Sequence, residues 1–213
     1  MKQIFSVLLL LVIFSCGRAI GENSIQKHQK HKKIVLPYGD KDLLYAFPKE
    51  WTSGKKAQDS IYNKLQFFVF EDENDSLRES INLSYLDAKL YLDTKFVLSN
   101  QKENIEFKTS KLFFSNNFEV FSIIYKGKID CGNCEFPESQ IQNMLVSMSN
   151  NKIIDKLLIS SVVGNDLGQS TRYFYIDTEK TIHLKDFNSD EEGTTFLDYS
   201  KYKINNNGKF IPQ

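Results

Sequence analysis

The chain has 213 residues, with 27 basic and 27 acidic side chains, so its formal net charge at pH 7 is zero. A neutral chain has no long-range field to attract nucleic acid or an acidic substrate. Its 17 Phe and 10 Tyr are ample for a packed core, and only four Pro and ten Gly argue against a disordered chain.

The first residues have the layout of an export signal. Lys2 supplies a positive charge, and residues 4–14 form an apolar stretch that is interrupted only by Ser6. A helix of this length spans roughly 16 Å, about half of the hydrocarbon core of a bilayer. The stretch is therefore too short to cross a membrane and is typical of a signal peptide.

The apolar stretch ends in Ile13-Phe14-Ser15-Cys16, with a small residue directly before a cysteine. This motif resembles the lipobox of Bacteroidota lipoproteins, although Phe14 departs from the commonest pattern. The resemblance implies that residues 1–15 are removed and that Cys16 carries the lipid that anchors the chain in a membrane. Because Gly17 is not Asp and no acidic run follows, we expect the periplasmic face of the outer membrane. The alternative is an ordinary secretory signal.

Residues 16–33 lack an apolar period and are predicted to be a lipidated flexible tether. His28 and His31 have the HxxH spacing of a metal-binding pair, but no nearby cysteine or carboxylate completes a site. A solvated tether is therefore the preferred interpretation. Its lysines would keep it hydrated and close to anionic lipid: Lys27, Lys30, Lys32 and Lys33.

Residues 34–213 are expected to form a single β-rich domain, because short alternating or apolar runs are separated by turn residues. No βαβ spacing is present, so the predicted fold is a mainly antiparallel meander with one or two short helices. Residues 86–98 fit either a strand or a short helix. Turns are predicted at 38–41 and 115–117. Strands are predicted at 34–36, 43–47, 66–70, 81–85, 112–114, 118–125, 153–163, 172–177, 181–187, 195–204 and 209–211.

Two further segments resemble known families. Phe47-Pro48-Lys49-Glu50-Trp51, followed by the aromatic run at 67–70, resembles the opening of PsbP/Mog1-like periplasmic domains. The run from Tyr173 to Phe210 is similar to the ending of uncharacterised Bacteroidota lipoproteins. Neither resemblance implies an activity.

Lipidation of Cys16 leaves one pair of cysteines, Cys131 and Cys134. The periplasm is oxidising, so we expect a local structural disulfide. The CxxC spacing also occurs in thioredoxin-like redox sites, but Glu135 follows the second cysteine and no βαβ frame surrounds the motif. A free or metal-bound pair is a third possibility, and zinc would need two more ligands.

Three patterns in the C-terminal third are candidate sites. His183 and Lys185 should face away from the apolar side of their strand, toward solvent, and the sequence identifies no orienting partner for His183. Asp186, Asn188 and Asp190 have the spacing of a calcium loop, but Glu191 stands where such a loop needs glycine, which favours a solvated turn. Four tyrosines form a stripe that is interpreted as cross-strand pairs or a ligand-binding face: Tyr173, Tyr175, Tyr199 and Tyr202.

These observations predict a membrane-anchored envelope component that acts by non-catalytic binding, without catalytic residues, metals or cofactors and without a nucleic-acid partner. The alternative is a periplasmic inhibitor or immunity-type protein that binds a protein partner. An enzyme, or a redox protein using Cys131 and Cys134, ranks third, because no known hydrolase, nucleotide or metalloprotease motif is present.

The lipid anchor can be tested by replacing Cys16 with Ser. We expect Cys16→Ser to release the protein into the soluble periplasmic fraction, because the thiol that carries the lipid is lost. Fractionation of cells expressing either form, followed by immunoblotting, measures this shift. Identical partitioning of the two proteins would contradict the lipoprotein assignment.

Overall fold

Antiparallel pairing between neighbouring chain segments dominates the structure, a computed structural model that describes residues 33–39, 78–92, 105–115, 117–128, 139–165 and 167–213. One helix, α1 (Tyr85–Tyr91), follows β2. The strands are β1 (Tyr38–Gly39), β2 (Glu79–Leu83), β3 (Ile105–Phe114), β4 (Glu119–Lys128), β5 (Ser139–Ser149), β6 (Lys152–Asn165), β7 (Gly168–Ile176), β8 (Thr181–Asp190), β9 (Gly193–Ile204) and β10 (Phe210–Pro212).

Strands β2 to β10 lie in one sheet in the order of the chain, with β10 at one edge. Every pair is antiparallel, which confirms the predicted fold class. In the described part of the chain α1 is the only helix, and no helix there is long and apolar enough to span a membrane.

The long strand β6 pairs with β5 along nearly its whole length but with β7 over only a part of it. Only its C-terminal part, from Ser161 to Asn165, pairs with β7. Two register shifts interrupt its pairing with β5, and such bulges increase local twist. The C-terminal part of β7 does not pair with β6. It pairs with β1 instead, and Tyr38 lies opposite Ile176.

Strands β4 and β5 are buried on both faces. Phe121 and Ile123 contribute to a core that also contains Ala88 and Tyr91 of α1. Val120 and Leu145 belong to a second core. That second core includes apolar residues of the segment before β1, β7, β8 and β10: Ile34, Phe174, Ile176, Ile182, Leu184 and Phe210. The sheet therefore rolls so that β7 and β8 cover β4 and β5.

A cluster of buried polar side chains lies between the first described segment and the strands β3 to β5. Arg78 Nη1 donates to Ser110 Oγ at 3.2 Å and to Ser122 Oγ at 3.0 Å. Arg78 Nη2 and Asn143 Nδ2 both donate to Tyr38 Oη. Ser122 Oγ donates to Asn143 Oδ1 at 2.6 Å. These bonds tie the N-terminal segment to the middle of the sheet while satisfying groups that are costly to bury alone.

The turn between β9 and β10 packs against the other half of the sheet. The side chain of Asn205 accepts hydrogen bonds from the backbone N–H groups of Asn207 and Lys209. Gly208 has a positive φ of 79°, and its carbonyl accepts a hydrogen bond from Ser147. Asp155 accepts the N–H of Phe210 at 2.8 Å. The C-terminal hairpin is thus fastened to β5 and β6.

The predicted strands of the C-terminal third are confirmed within a few residues of their ends, and the turn at 115–117 separates β3 from β4. The turn prediction at 38–41 is wrong for Tyr38 and Gly39, which pair with β7. Residues 34–36 are not a strand, Tyr85 begins α1, and β5 was not predicted. The strands predicted at 43–47 and 66–70 lie outside the described residues.

Replacing Gly208 by Ala should destabilise the fold by about 2 kcal/mol, because a side chain is strained at positive φ and has no space there. A Cβ at this position would lie 2.8 Å from Ile154 Cδ1 and 3.2 Å from Phe118 Cγ. The matched control is Gly168→Ala, whose Cβ would meet its nearest neighbour at 3.4 Å. Urea denaturation measures both variants. Equal destabilisation would refute the packing argument.

Candidate functional site

The best-defined candidate site lies on the outer side of β7, β8 and β9. Ile182 and Leu184 of β8 are buried in the second core, so the alternating residues His183 and Lys185 face the other way, as predicted. In the strand pairing, His183 of β8 lies between Tyr175 of β7 and Lys201 of β9. Lys185 of β8 lies opposite Tyr199 of β9. We call this group of five the tyrosine face: Tyr175, His183, Lys185, Tyr199 and Lys201.

His183 is held by two partners at the centre of the tyrosine face. Its Nδ1 lies 2.9 Å from Tyr199 Oη, and its Nε2 lies 3.3 Å from Asp177 Oδ2. The imidazole is only 8% exposed, so the expectation that it faces open solvent is wrong. Tyr199 and Asp177 cover it, and they are also the orienting partners that the sequence did not identify.

The turn between β7 and β8 positions Asp177. Asp177 Oδ1 accepts the N–H of Thr181 at 2.8 Å, and Lys180 occupies the turn with a positive φ of 65°. Burial by itself raises the pKa of Asp177. Hydrogen bonds from Thr181 and His183 outweigh that effect, so the pKa lies below its usual range. Asp177 therefore stays an acceptor-only carboxylate near neutral pH.

The hydrogen-bond directions follow from this charge state. A carboxylate only accepts, so Nε2 of His183 carries the hydrogen that is shared with Asp177. In the neutral imidazole Nδ1 is then an acceptor, and Tyr199 donates its hydroxyl hydrogen to it. The chain Tyr199 to His183 to Asp177 thus fixes both the tautomer of the histidine and the position of the phenol.

Two ammonium groups flank the ring of Tyr199. Lys185 Nζ lies 5.2 Å and Lys201 Nζ 5.5 Å from the ring centroid, within the range of a cation–π contact. Burial lowers the pKa of Lys185. Tyr199 is 39% exposed. A fixed, accessible aromatic ring with positive charge on its flanks is therefore presented at the surface.

The predicted tyrosine stripe is divided between the two sides of the sheet. Tyr175 and Tyr199 lie on the tyrosine face. Tyr173 is on the same side but is buried, with its ring edge-on to Phe187. Tyr202 packs against the second core on the opposite side. The stripe is therefore not a single binding surface.

The first residue of the calcium-like pattern is engaged by an arginine. Arg172 Nε and Nη2 donate to the two carboxylate oxygens of Asp186 at 2.6 and 2.7 Å. Arg172 Nη1 also donates to the carbonyl of Leu158. These hydrogen bonds to Asp186 raise the pKa of Arg172, and the bidentate pair joins β7 to β8.

The other residues of that pattern continue along β8 and do not form a loop. Asn188 accepts a hydrogen bond from Ser170, and Asp190 accepts the N–H of Glu192. Within the described ranges no group of three or more His, Cys, Asp or Glu is placed to hold a metal ion. The remaining candidates lie outside the described residues: Cys16, Cys131, Cys134, His28, His31 and the segment 47–51.

Asp177→Asn should lower the free energy of unfolding by about 1–2 kcal/mol at neutral pH, because hydrogen bonds to a charged acceptor are lost. The pKa of Asp177 is lower in the folded than in the unfolded chain, so this contribution is present above the usual carboxyl pKa and disappears as the pH falls through the lowered value. Urea denaturation between about pH 7 and pH 3 measures the difference.

The control for this prediction is Glu191→Gln, which alters an exposed carboxylate in the turn between β8 and β9. We expect this variant to remain close to wild type at every pH. An Asp177→Asn deficit that persisted unchanged to the lowest pH would show that the carboxylate charge is not its cause.

Comparison with known protein families, with curated proteins and with solved structures gave no match. The tyrosine face is therefore interpreted from its own geometry, which consists of a buried histidine, two hydrogen-bonded partners and a flanked phenol ring.

Proposed function

We propose that this chain is a non-catalytic binding component of the bacterial envelope, anchored to the membrane through Cys16, and that its tyrosine face binds an acidic surface of an envelope protein. The main supporting observation is the position of Tyr199, whose hydroxyl is hydrogen-bonded to His183 and whose ring centroid lies within 5.5 Å of two lysine ammonium groups.

Tyr199 has the properties of an interface anchor. Aromatic residues contribute most when their conformation is restricted before binding, because less side-chain entropy is lost in the complex. The hydrogen bond to His183 restricts the phenol, and Asp177 restricts the histidine in turn. The exposed part of the ring stays available to a partner.

The charges around Tyr199 favour an acidic partner. The ammonium groups of Lys185 and Lys201 lie beside the ring, and Lys201 is exposed. Asp177 is engaged by His183 and Thr181. The whole chain is neutral, so attraction would act locally and depend on salt. The exposed ring and its neighbouring positive charges are carried on β-strands, which suits binding to a macromolecular surface.

Site-specific photo-crosslinking in living cells tests this proposal. A photoreactive amino acid is placed at Leu197, which is exposed and lies two residues before Tyr199 on β9. We expect a discrete adduct with an envelope protein, and we expect Tyr199→Ala to abolish it. The control position is Lys89 on α1. The same adducts from both positions, or adducts that persist in Tyr199→Ala, would overturn the proposal.

An acid–base role is the second candidate, because Asp177, His183 and Tyr199 stand in the order found in catalytic triads, with a carboxylate, an imidazole and a hydroxyl in sequence. Tyr199→Phe separates the two candidates. It keeps the ring beside the lysines but removes the hydroxyl and its hydrogen bond to His183. A binding surface should therefore lose part but not all of its crosslinking, whereas an acid–base site loses its reacting group.

A further inference from the structure

Antiparallel pairing brings four turns to the same end of the rolled sheet. Strands β3 and β4, β5 and β6, β7 and β8, and β9 and β10 are each joined at this end, and the turn that joins β8 to β9 lies at the opposite end. We call this end, with the adjoining strand residues, the basic end. Its turns are 115–118, 150–151, 177–180 and 205–209.

Contacts between these turns show that they form one continuous surface. The carbonyl of Gly208 accepts the hydroxyl of Ser147, near the end of β5. Gly208 also lies beside Phe118 of the first turn, so close that an added Cβ would be 3.2 Å from Phe118 Cγ. Lys180 Nζ, on the third turn, lies 5.1 Å from the ring centroid of Phe113 on β3.

The basic end carries an excess of exposed positive charge. Among its described residues the exposed acid is Glu179, whereas Asp155, Asp177 and Glu119 are partly buried. Asp155 accepts the backbone N–H groups of Lys156 and Phe210, Asp177 is bound to His183, and Glu119 is bound to Lys111. The opposite end presents the exposed acids Asp190, Glu191 and Glu192. The exposed lysines of the basic end are Lys152, Lys180, Lys201, Lys203 and Lys209.

Neutral donors and apolar side chains accompany the lysines. A groove of about 560 Å³ lies between the first two turns. Its lining includes Ser115, Asn117, Asn150 and Asn151, together with the carboxylate of Glu119, which is bound to Lys111. Hydroxyl and amide groups of this kind donate hydrogen bonds to phosphate oxygens. Val35 is 75% exposed and Ile211, paired with Lys203, is 40% exposed.

The chain enters the domain at the same end. Lys33 bridges to Lys111, three residues before the end of β3, and the N–H of Ile34 donates to the carbonyl of Lys111 at 2.9 Å. Sixteen residues, 17–32, separate Cys16 from Lys33. A lipid on Cys16 would then hold the basic end close to the bilayer, a step that rests on the proposed anchoring.

From the shared location of the lysines, the phosphate-compatible groove and the entering chain, we propose that the basic end docks on the anionic surface of the lipid bilayer. Docking orients the domain so that the acidic turn at 190–192 points away from the membrane. Each lysine near an anionic surface adds to the attraction, which decays within a Debye length of about 8–10 Å. Exposed Val35 and Ile211 can contact the interfacial region of the bilayer.

Vesicle cosedimentation with the mature Cys16→Ser chain tests docking without a lipid anchor. The vesicles contain phosphatidylethanolamine and phosphatidylglycerol, with pure phosphatidylcholine as the uncharged reference. We expect binding to the anionic vesicles alone, weakened at least about tenfold by Lys203→Glu with Lys209→Glu. The matched control, Lys89→Glu with Lys126→Glu, changes the net charge equally at sites outside the basic end and should bind like the parent chain.

If both double variants weaken vesicle binding equally, only net charge matters. If Lys203→Glu with Lys209→Glu leaves vesicle binding unchanged, the interaction belongs to the lysines of residues 16–33. Either result overturns the proposal, as does absence of binding to anionic vesicles.

A lysine-acylation footprint of the parent chain gives an independent readout. Lys203 and Lys209 should become protected on vesicles while Lys89 stays reactive, and unprotected Lys203 and Lys209 would also overturn the proposal. Failure of the anchor itself is detected separately, by fractionation of Cys16→Ser cells.

Discussion

Burial of both faces of β4 and β5 is the constraint from which the rest of the architecture follows. Apolar side chains project from these strands in both directions, with Phe121 and Ile123 on one side and Val120 and Leu145 on the other. A flat sheet would leave one of these faces in water, at a cost of about 25 cal/mol for each Å² of apolar surface. Helix α1 covers the first face, and the roll of β7 and β8 covers the second.

The roll determines which surface is left for function. Ile182 and Leu184 are buried in the second core. Because side chains alternate between the two faces of a strand, His183 and Lys185 lie on the outer face. The same alternation on β9 brings Tyr199 beside His183. The packing of the core thus determines which residues form the tyrosine face. Their positions depend on strand register, because a shift by one residue would exchange the buried and the exposed side chains.

Sequence reasoning succeeded where side chains alternate and turn residues separate them, as in β6 to β10. It failed for β5 because Gln140, Gln142 and Asn143 are fully or almost fully buried there, so the strand reads as polar although it lies inside the sheet. The outward direction of His183 was predictable from alternation. Its partners were not, because they depend on a four-residue turn and on the register between β8 and β9, which sequence periodicity does not specify.

The short edge strand β10 limits how copies of this chain can meet. It has three residues and ends in Pro212, which has no N–H group to donate to a further strand. Long, regular edges recruit strands from other molecules and seed aggregation, and brevity and proline both suppress this. The end of β10 is thus a poor template for strand pairing between copies of this chain.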